Sequence, residues 1–384
     1  MTTTLRILRS SLTYQLCCRG LSSEAAVAFN PSKTAVRTSE NDPTKQSNQD
    51  LAKLYNMPDD VKKRLFLKSD IPMYFERLTD TFCETSIVVR QPALELMDYL
   101  KRADYNKPII RYALYGRFGS GKTLTLQHTL NYAANNGFVI VYLPSVWKWY
   151  HWTKEVVPSE LDPSVFDLPM AAGSWLKRFA MTNEKLIADL DLKTTKTYQW
   201  TPREKAEEGS SLNEMVSFGI NRVKYACLVV DALMNELKAN ACNDQCKVFL
   251  AIDGFNGFFQ TSSKLKTAER APFDPTRASL TKIFVEAVKN DWHNGAAVLV
   301  IDDHACVKGK YSTHFPFHLL QKEGIETIDP FIPIHVPHYT PLEFNNYLDY
   351  LEEKRWLQKP EAREEIEFVT QRNPREITTY CASR

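Results

Sequence analysis

The stretch GRFGSGKT, Gly116 to Thr123, carries the residue types that hold a phosphate chain. In the pattern GxxxxGK[ST], glycines let successive backbone N–H groups turn inward as an anion nest, the lysine reaches the β- and γ-phosphates, and the hydroxyl ligates Mg²⁺. Gly116, Gly119, Gly121, Lys122 and Thr123 satisfy it in full, and Arg117, Phe118 and Ser120 complete the loop around the nucleotide. A helix starting at the lysine adds the positive end of its dipole. The same loop serves hydrolases and proteins that only hold a nucleotide, so the difference must be sought in carboxylates elsewhere in the chain.

Three aspartates follow apolar runs: Asp231 after CLVV, Asp253 after VFLAI and Asp302 after AVLVI. Asp231 lies in a stretch of helical period and reads as the polar face of a helix. Asp253 fits the second metal carboxylate, its strand expected beside the loop's own strand with the carboxylate at the carboxyl edge, where ligands sit. Mg²⁺ is then held by Thr123 and Asp253. Asp302, on the next strand, is either a sensor of the γ-phosphate or a solvated strand end. In ATPases with an added strand between loop and metal carboxylate, a glutamate after the aspartate activates water; here that position is Gly254. Without an oriented base a water forgoes an acceleration of about 10²–10⁴-fold. No catalytic residue is assigned, and hydrolysis is expected to be weak at most; were turnover fast, Asp302, Asp303 and Glu286 are the carboxylates to test. Near the C-terminus, RNPRE sets Arg375 at the start of a helix, where it either reaches the γ-phosphate or lies on the surface. Asn106-Lys107 continues as Pro108-Ile109, so the Asn-Lys-x-Asp motif of Ras-like GTPases is absent, and spacing leaves guanine and adenine open.

The elements that must position these residues are a parallel α/β sheet of the P-loop NTPase type. PIIRYALYG is a strand feeding the loop, KTLTLQHTLNYAANNG a helix and FVIVYLP a second strand, together a βαβ unit. KVFLAIDG, GAAVLVIDD and FIPIHVPHY are three further strands, and residues 145–245 are mostly helical, with Leu212, Met215, Val216, Ile220, Val223, Cys227, Val230, Met234 and Leu237 at helical steps. The nucleotide-binding domain is placed at 105–338. Residues 51–104 form an N-terminal helical extension with Val61, Leu65, Leu67, Leu94, Leu96 and Leu100 on a buried face. Residues 339–384 form a C-terminal helical lid, opened by Thr340, Pro341 and Glu343 as a capping box. WKWYHW, Trp147 to Trp152, is a helix start, a protein interface or an RNA-stacking patch.

Residues 1–23 contain Arg6, Arg9 and Arg19 and no acid, the composition of a mitochondrial transit peptide; residues 24–50 are polar and read as a flexible arm. The 48 basic residues less those three leave 45 against 46 acidic ones, a balance that argues against a wholly basic nucleic-acid-binding domain. Hydrophobic content of 43% and charged content of 24% fit a globular chain. The six cysteines beyond the presumed presequence lack zinc spacing, and no apolar run approaches the roughly 18 residues of a membrane helix, so a soluble protein without a membrane partner is expected.

YALYGRFGSGKTLTLQHTLNYAA, together with SIVVRQPALELMDYL, SWLKRFAMTNEKL, AIDGFNGFF, KNDWHNGAAVLV, KEGIETIDPFIPI and NPRE, resembles the death-associated protein three family of mitochondrial ribosomal proteins over roughly residues 51–384. The resemblance implies an AAA-like, STAND-type module in the mitochondrial matrix, in the head of the small ribosomal subunit, binding GTP or GDP with Mg²⁺ and supporting mitochondrial translation. It implies small-subunit ribosomal proteins and rRNA as partners, with large-subunit proteins across the subunit interface as further candidates, and a link to apoptosis. The competing reading is a free AAA-like ATPase or GTPase, acting as a remodelling enzyme or an apoptotic switch; turnover separates the two.

Overall fold

The computed structural model describes residues 34–153, 155–160, 162–260, 264–267, 269–303, 313–357 and 362–382. At its centre five strands pair in parallel: β1 Ile110–Tyr115, β2 Phe138–Leu143, β3 Lys247–Asp253, β4 Gly295–Val300 and β5 Ile332–His335, in the order β5-β1-β4-β3-β2. The strands are near-continuous apolar runs because helices cover both faces. One expectation is corrected here. The strand bearing Asp253 does not lie beside the loop strand, because β4 intervenes, Val298 pairing with Tyr112 on one side and Ala251 on the other. The β1-to-β2 crossover leaves space that two later strands fill, an ordering local sequence does not encode.

On one face lie α6 Pro169–Asp189, α7 Leu212–Asn221, α8 Ala226–Cys242, α9 Ser279–Ala287 and α10 Pro316–Ile328, reached after α1 Asp59–Leu65, α2 Met73–Phe82, α3 Gln91–Arg102, α4 Lys122–Asn135 and α5 Val146–His151. The opposite face packs α3, α4 and α11 Pro341–Glu353, followed by α12 Arg363–Thr370 and α13 Pro374–Ala382. The long helical period expected from Leu212 to Leu237 is broken by a 3-10 turn at Val223–Tyr225, which leaves Ile220 only half-buried. Leu67, expected on a buried face, is exposed because α1 ends at Leu65 and the helical period ends with it. In WKWYHW, Tyr150 is buried and bonded to Thr281, whereas Trp147 stacks on His151 at 4.2 Å and Trp152 is exposed.

The N-terminal segment has a definite physical task. Helix α4 buries Thr125, Gln127, His128, Thr129 and Asn131, and polar groups left unpaired there would cost about 1–3 kcal/mol each. Gln127 donates to the Asp70 carbonyl at 3.2 Å, His128 Nε2 lies 2.7 Å from Gln46 Oε1, and Asn131 bonds the Tyr55 hydroxyl. Burial pushes His128 down to about 4, so its ring is neutral. Residues 35–50, expected within a flexible arm, are thus anchored: Asn346 brackets the Val36 backbone at 2.7 and 2.9 Å, and the Arg37 fork meets Glu353 at 2.7 and 2.9 Å. Their polar side chains serve the fold, which composition cannot distinguish from solvation. The presumed presequence, residues 1–23, lies outside the described residues. Among the described residues no helix is long and apolar enough to cross a membrane.

Candidate nucleotide site

Strand β1 ends at Tyr115, and the loop Gly116–Gly121 turns the chain into α4, whose first N–H groups have no intrahelical acceptor. Lys122 is only 5% exposed, although a buried ammonium needs partners. Its Nζ donates to the carbonyls of Gly116 at 2.8 Å and Arg117 at 3.2 Å, and stands 3.4 Å from Asp302 and 3.8 Å from Asp303. The Thr123 hydroxyl, in the first turn of α4, donates to Asp253 Oδ2 at 2.8 Å, so the two residues assigned to Mg²⁺ meet although β3 is not adjacent to the loop strand β1.

Burial, reinforced by the neighbouring Asp302 charge, pushes Asp253 up to about 7 against the opposing pull of Thr123, Lys122 and Lys148. Burial and a hydrogen bond with Asp302 raise Asp303 to about 6, with Lys122 opposing. A buried carboxyl held this high is one that a cation would stabilise. Among the described residues no group of three or more His, Cys, Asp or Glu forms a protein-only metal cage. A hydroxyl and one carboxylate instead suit Mg²⁺, and Thr123 and Asp253 are the residues that would hold it. Such an ion would offset phosphate charge; the chain's own part is to hold Thr123 and Asp253 together.

Asp302 is held by Asn256, which accepts from its N–H at 2.9 Å and donates to its carbonyl at 2.8 Å. So held, its carboxyl faces Lys122, the cation that would stand between it and a γ-phosphate. Gly254 follows Asp253 with φ +79°, a left-handed turn that starts the 3-10 segment Phe255–Phe259 and offers no base. Glu286 is bridged to Lys289 at 2.5 Å and takes no part in this cluster.

The lid closes directly on the loop. Asn373 accepts from the N–H groups of Arg375 and Glu376 at 3.1 and 3.3 Å, capping α13, and donates to the Phe118 carbonyl at 2.8 Å. Gly119 lies so close beneath that a Cβ there would stand 2.6 Å from Asn373 Oδ1 and 2.9 Å from Arg375 Cβ. The Arg375 guanidinium rests 4.2 Å from the Phe118 ring centroid and 5.9 Å from that of Tyr74. Arg90, buried, joins three parts: it donates to the Ser120 carbonyl at 2.6 Å and the Pro337 carbonyl at 2.7 Å, and reaches Glu343 at 3.3 Å. Glu343 also closes the capping box with Thr340 that the sequence predicts.

All the loop residues, Asp253, Asp302 and Arg375 are therefore brought together at one sheet edge. Arg90, Asn373 and Tyr74 are the participants that sequence reasoning missed. For Asn373 a signal existed, since Asn before Pro is a helix N-cap pattern; for Arg90 and Tyr74 none did, as their roles depend on long-range packing. The open cavity between the loop, α2 and α13 has a volume of about 420 Å³, with Tyr74, Arg77, Phe118, Lys122, Asp302 and Arg375 in its wall.

Residues 87–379 match the model of the family described as mitochondrial ribosomal death-associated protein 3. The chain belongs to that family. A small ribosomal subunit protein mS29 of Mus musculus is 35% identical over 356 residues, 91% of this chain and 90% of the mouse protein. The Bos taurus protein of the same name is 35% identical over 351 residues, 90% of this chain and 87% of its own. One from Neurospora crassa is 24% identical over 220 residues, 57% of this chain and 46% of its own. The family match takes in the loop, Asp253 and the lid as far as Thr379, so the site lies largely inside the shared region.

Proposed function

We propose that this chain is a structural protein of the small subunit of the mitochondrial ribosome that holds a guanine nucleotide with Mg²⁺ and supports mitochondrial translation. Kinship with small-subunit proteins across nine-tenths of the chain carries the ribosomal part. Its place is the mitochondrial matrix, among small-subunit proteins and rRNA. The nucleotide part rests on the assembled loop, with Lys122 buried among oxygens and Thr123 bonded to Asp253. Holding rather than turnover is supported by Gly254, where a base is missing, and by a lid hydrogen-bonded to the loop through Asn373. The exposed Trp152 beside the Trp147–His151 stack is a surface suited to a ribosomal neighbour.

Turnover by the purified chain tests the holding role. Hydrolysis slower than about 1 s⁻¹, below the ordinary enzyme range, is expected. Gly254→Ala should leave that rate unchanged, its cost being about 1–2 kcal/mol of stability for a left-handed alanine. Faster turnover by the wild type would show that a base exists, and Asp302 and Asp303, 3.4 and 3.8 Å from Lys122, are then the carboxylates to replace.

A further inference from the structure

A second open cavity, of about 480 Å³, lies where the end of β2, helices α5 and α6 and the connection after α1 meet, and it shares no wall residue with the nucleotide cavity. Its wall is mostly apolar, with Leu67, Trp149, Trp152, Met170 and Trp175 in it, and Leu67, Trp152 and Met170 are exposed. Single apolar residues scattered over a surface need no partner, but these are gathered in one trough. Tryptophan and methionine are also among the residues enriched at protein interfaces. The charges in the wall differ in how they are met. Arg178 is buried against Asp70, and Glu155 is exposed. Lys148 is half-buried and makes no ion pair among the described residues; one of its three donors meets the Ser69 carbonyl, and the ammonium lies 5.9 Å from the centroid of the Trp152 ring. Burial lowers its pKa from the ordinary 10.5, with Asp253 opposing.

Resting on the ribosomal reading, we propose that this trough docks a segment of a neighbouring small-subunit protein that carries an Asp or Glu between apolar side chains, its carboxylate meeting Lys148 and its apolar groups covering Trp149, Trp152 and Met170. Charge complementarity sets the sign of the partner. An ammonium in a mostly apolar wall with two donors left over is met best by an anion, and such charge-assisted bonds are the strong ones. RNA fits less well, because a groove that tracks a nucleic-acid backbone carries positive charge along its length. Lys148 is, among the described residues, the single unpaired cation in this wall.

The test places a photoreactive residue, Met170→p-benzoylphenylalanine, at the exposed start of α6 in the full chain, lets the chain assemble in mitochondria, and identifies the covalent product formed on irradiating the sedimented small subunit. The product should be with a small-subunit protein, joined at a segment that has an Asp or Glu among apolar residues. That segment, as a synthetic peptide, should bind the purified full chain. Lys148→Met should weaken it by about 10- to 100-fold, the range of a charge-assisted bond, and Trp152→Ala by at least about 5-fold. Lys148→Arg, which keeps the charge, should bind the peptide as the wild type does, and an Asn or Gln in place of the peptide's acid should remove the difference between wild type and Lys148→Met. A product with rRNA, or no product, from a chain that travels with the small subunit overturns the docking site and leaves the ribosomal reading intact. A peptide that wild type and Lys148→Met hold equally, or that neither holds, does the same. A chain that does not travel with the small subunit overturns the ribosomal reading and the docking site with it.

Discussion

Replacing Lys122 by alanine should lower nucleotide affinity by about 10- to 100-fold, the worth of a charge-assisted bond of about 1.5–3 kcal/mol to the β/γ-phosphates. Three effects add in the same direction. The ammonium that would meet the phosphates is lost, and so is the group that gathers the Gly116 and Arg117 carbonyls at 2.8 and 3.2 Å. Asp302 and Asp303 also lose the cation they share, leaving carboxylates turned towards an anionic ligand. The loss is read by equilibrium binding of a fluorescent GTP analogue with Mg²⁺. Affinity unchanged by the substitution would remove Lys122 from the phosphates and the loop from the site.

Asp253→Asn should separate stability from ligand binding. In the wild type without metal, burial raises Asp253 from an ordinary 3.8 to about 7. The folded state therefore favours the protonated form. Its contribution is present in full below about pH 4 and is lost as pH rises through about 7. Asparagine has the shape of that neutral form and its amide oxygen can still accept from Thr123. The variant should match the wild type near pH 4 and exceed it by about 2–4 kcal/mol at pH 8, in urea unfolding without Mg²⁺ or nucleotide. The same substitution should weaken Mg²⁺-dependent binding more than Mg²⁺-free binding. A variant less stable than the wild type at pH 8 would show that Asp253 is ionised and well paired in the folded protein.

Much of the site was legible because its signals are local. The loop, the strand before it and the helix after it lie within one short stretch, and Thr340, Pro341 and Glu343 announce their helix by spacing alone. The run VFLAI ending in Asp253 was readable as a buried strand for the same reason. What escaped depends on distance along the chain. Nothing near Asp253 says that β4 will enter between its strand and β1. Arg90 gains its role only when residues 120, 337 and 343 gather around it. Residues 35–50 read as solvated because they are polar, yet Gln46 is buried against His128, a pairing that no periodicity reveals.

The central claim, a nucleotide-holding protein of the small mitochondrial ribosomal subunit, is tested most directly by sedimenting extracts of intact mitochondria at moderate salt and analysing the nucleotide of the fraction containing this chain. The chain should travel with the small subunit, accompanied by guanine nucleotide in amounts matching its own, and a Lys122→Ala chain should travel there without it. A chain that stays at the top of the gradient, or a small subunit containing it without nucleotide, would contradict the account.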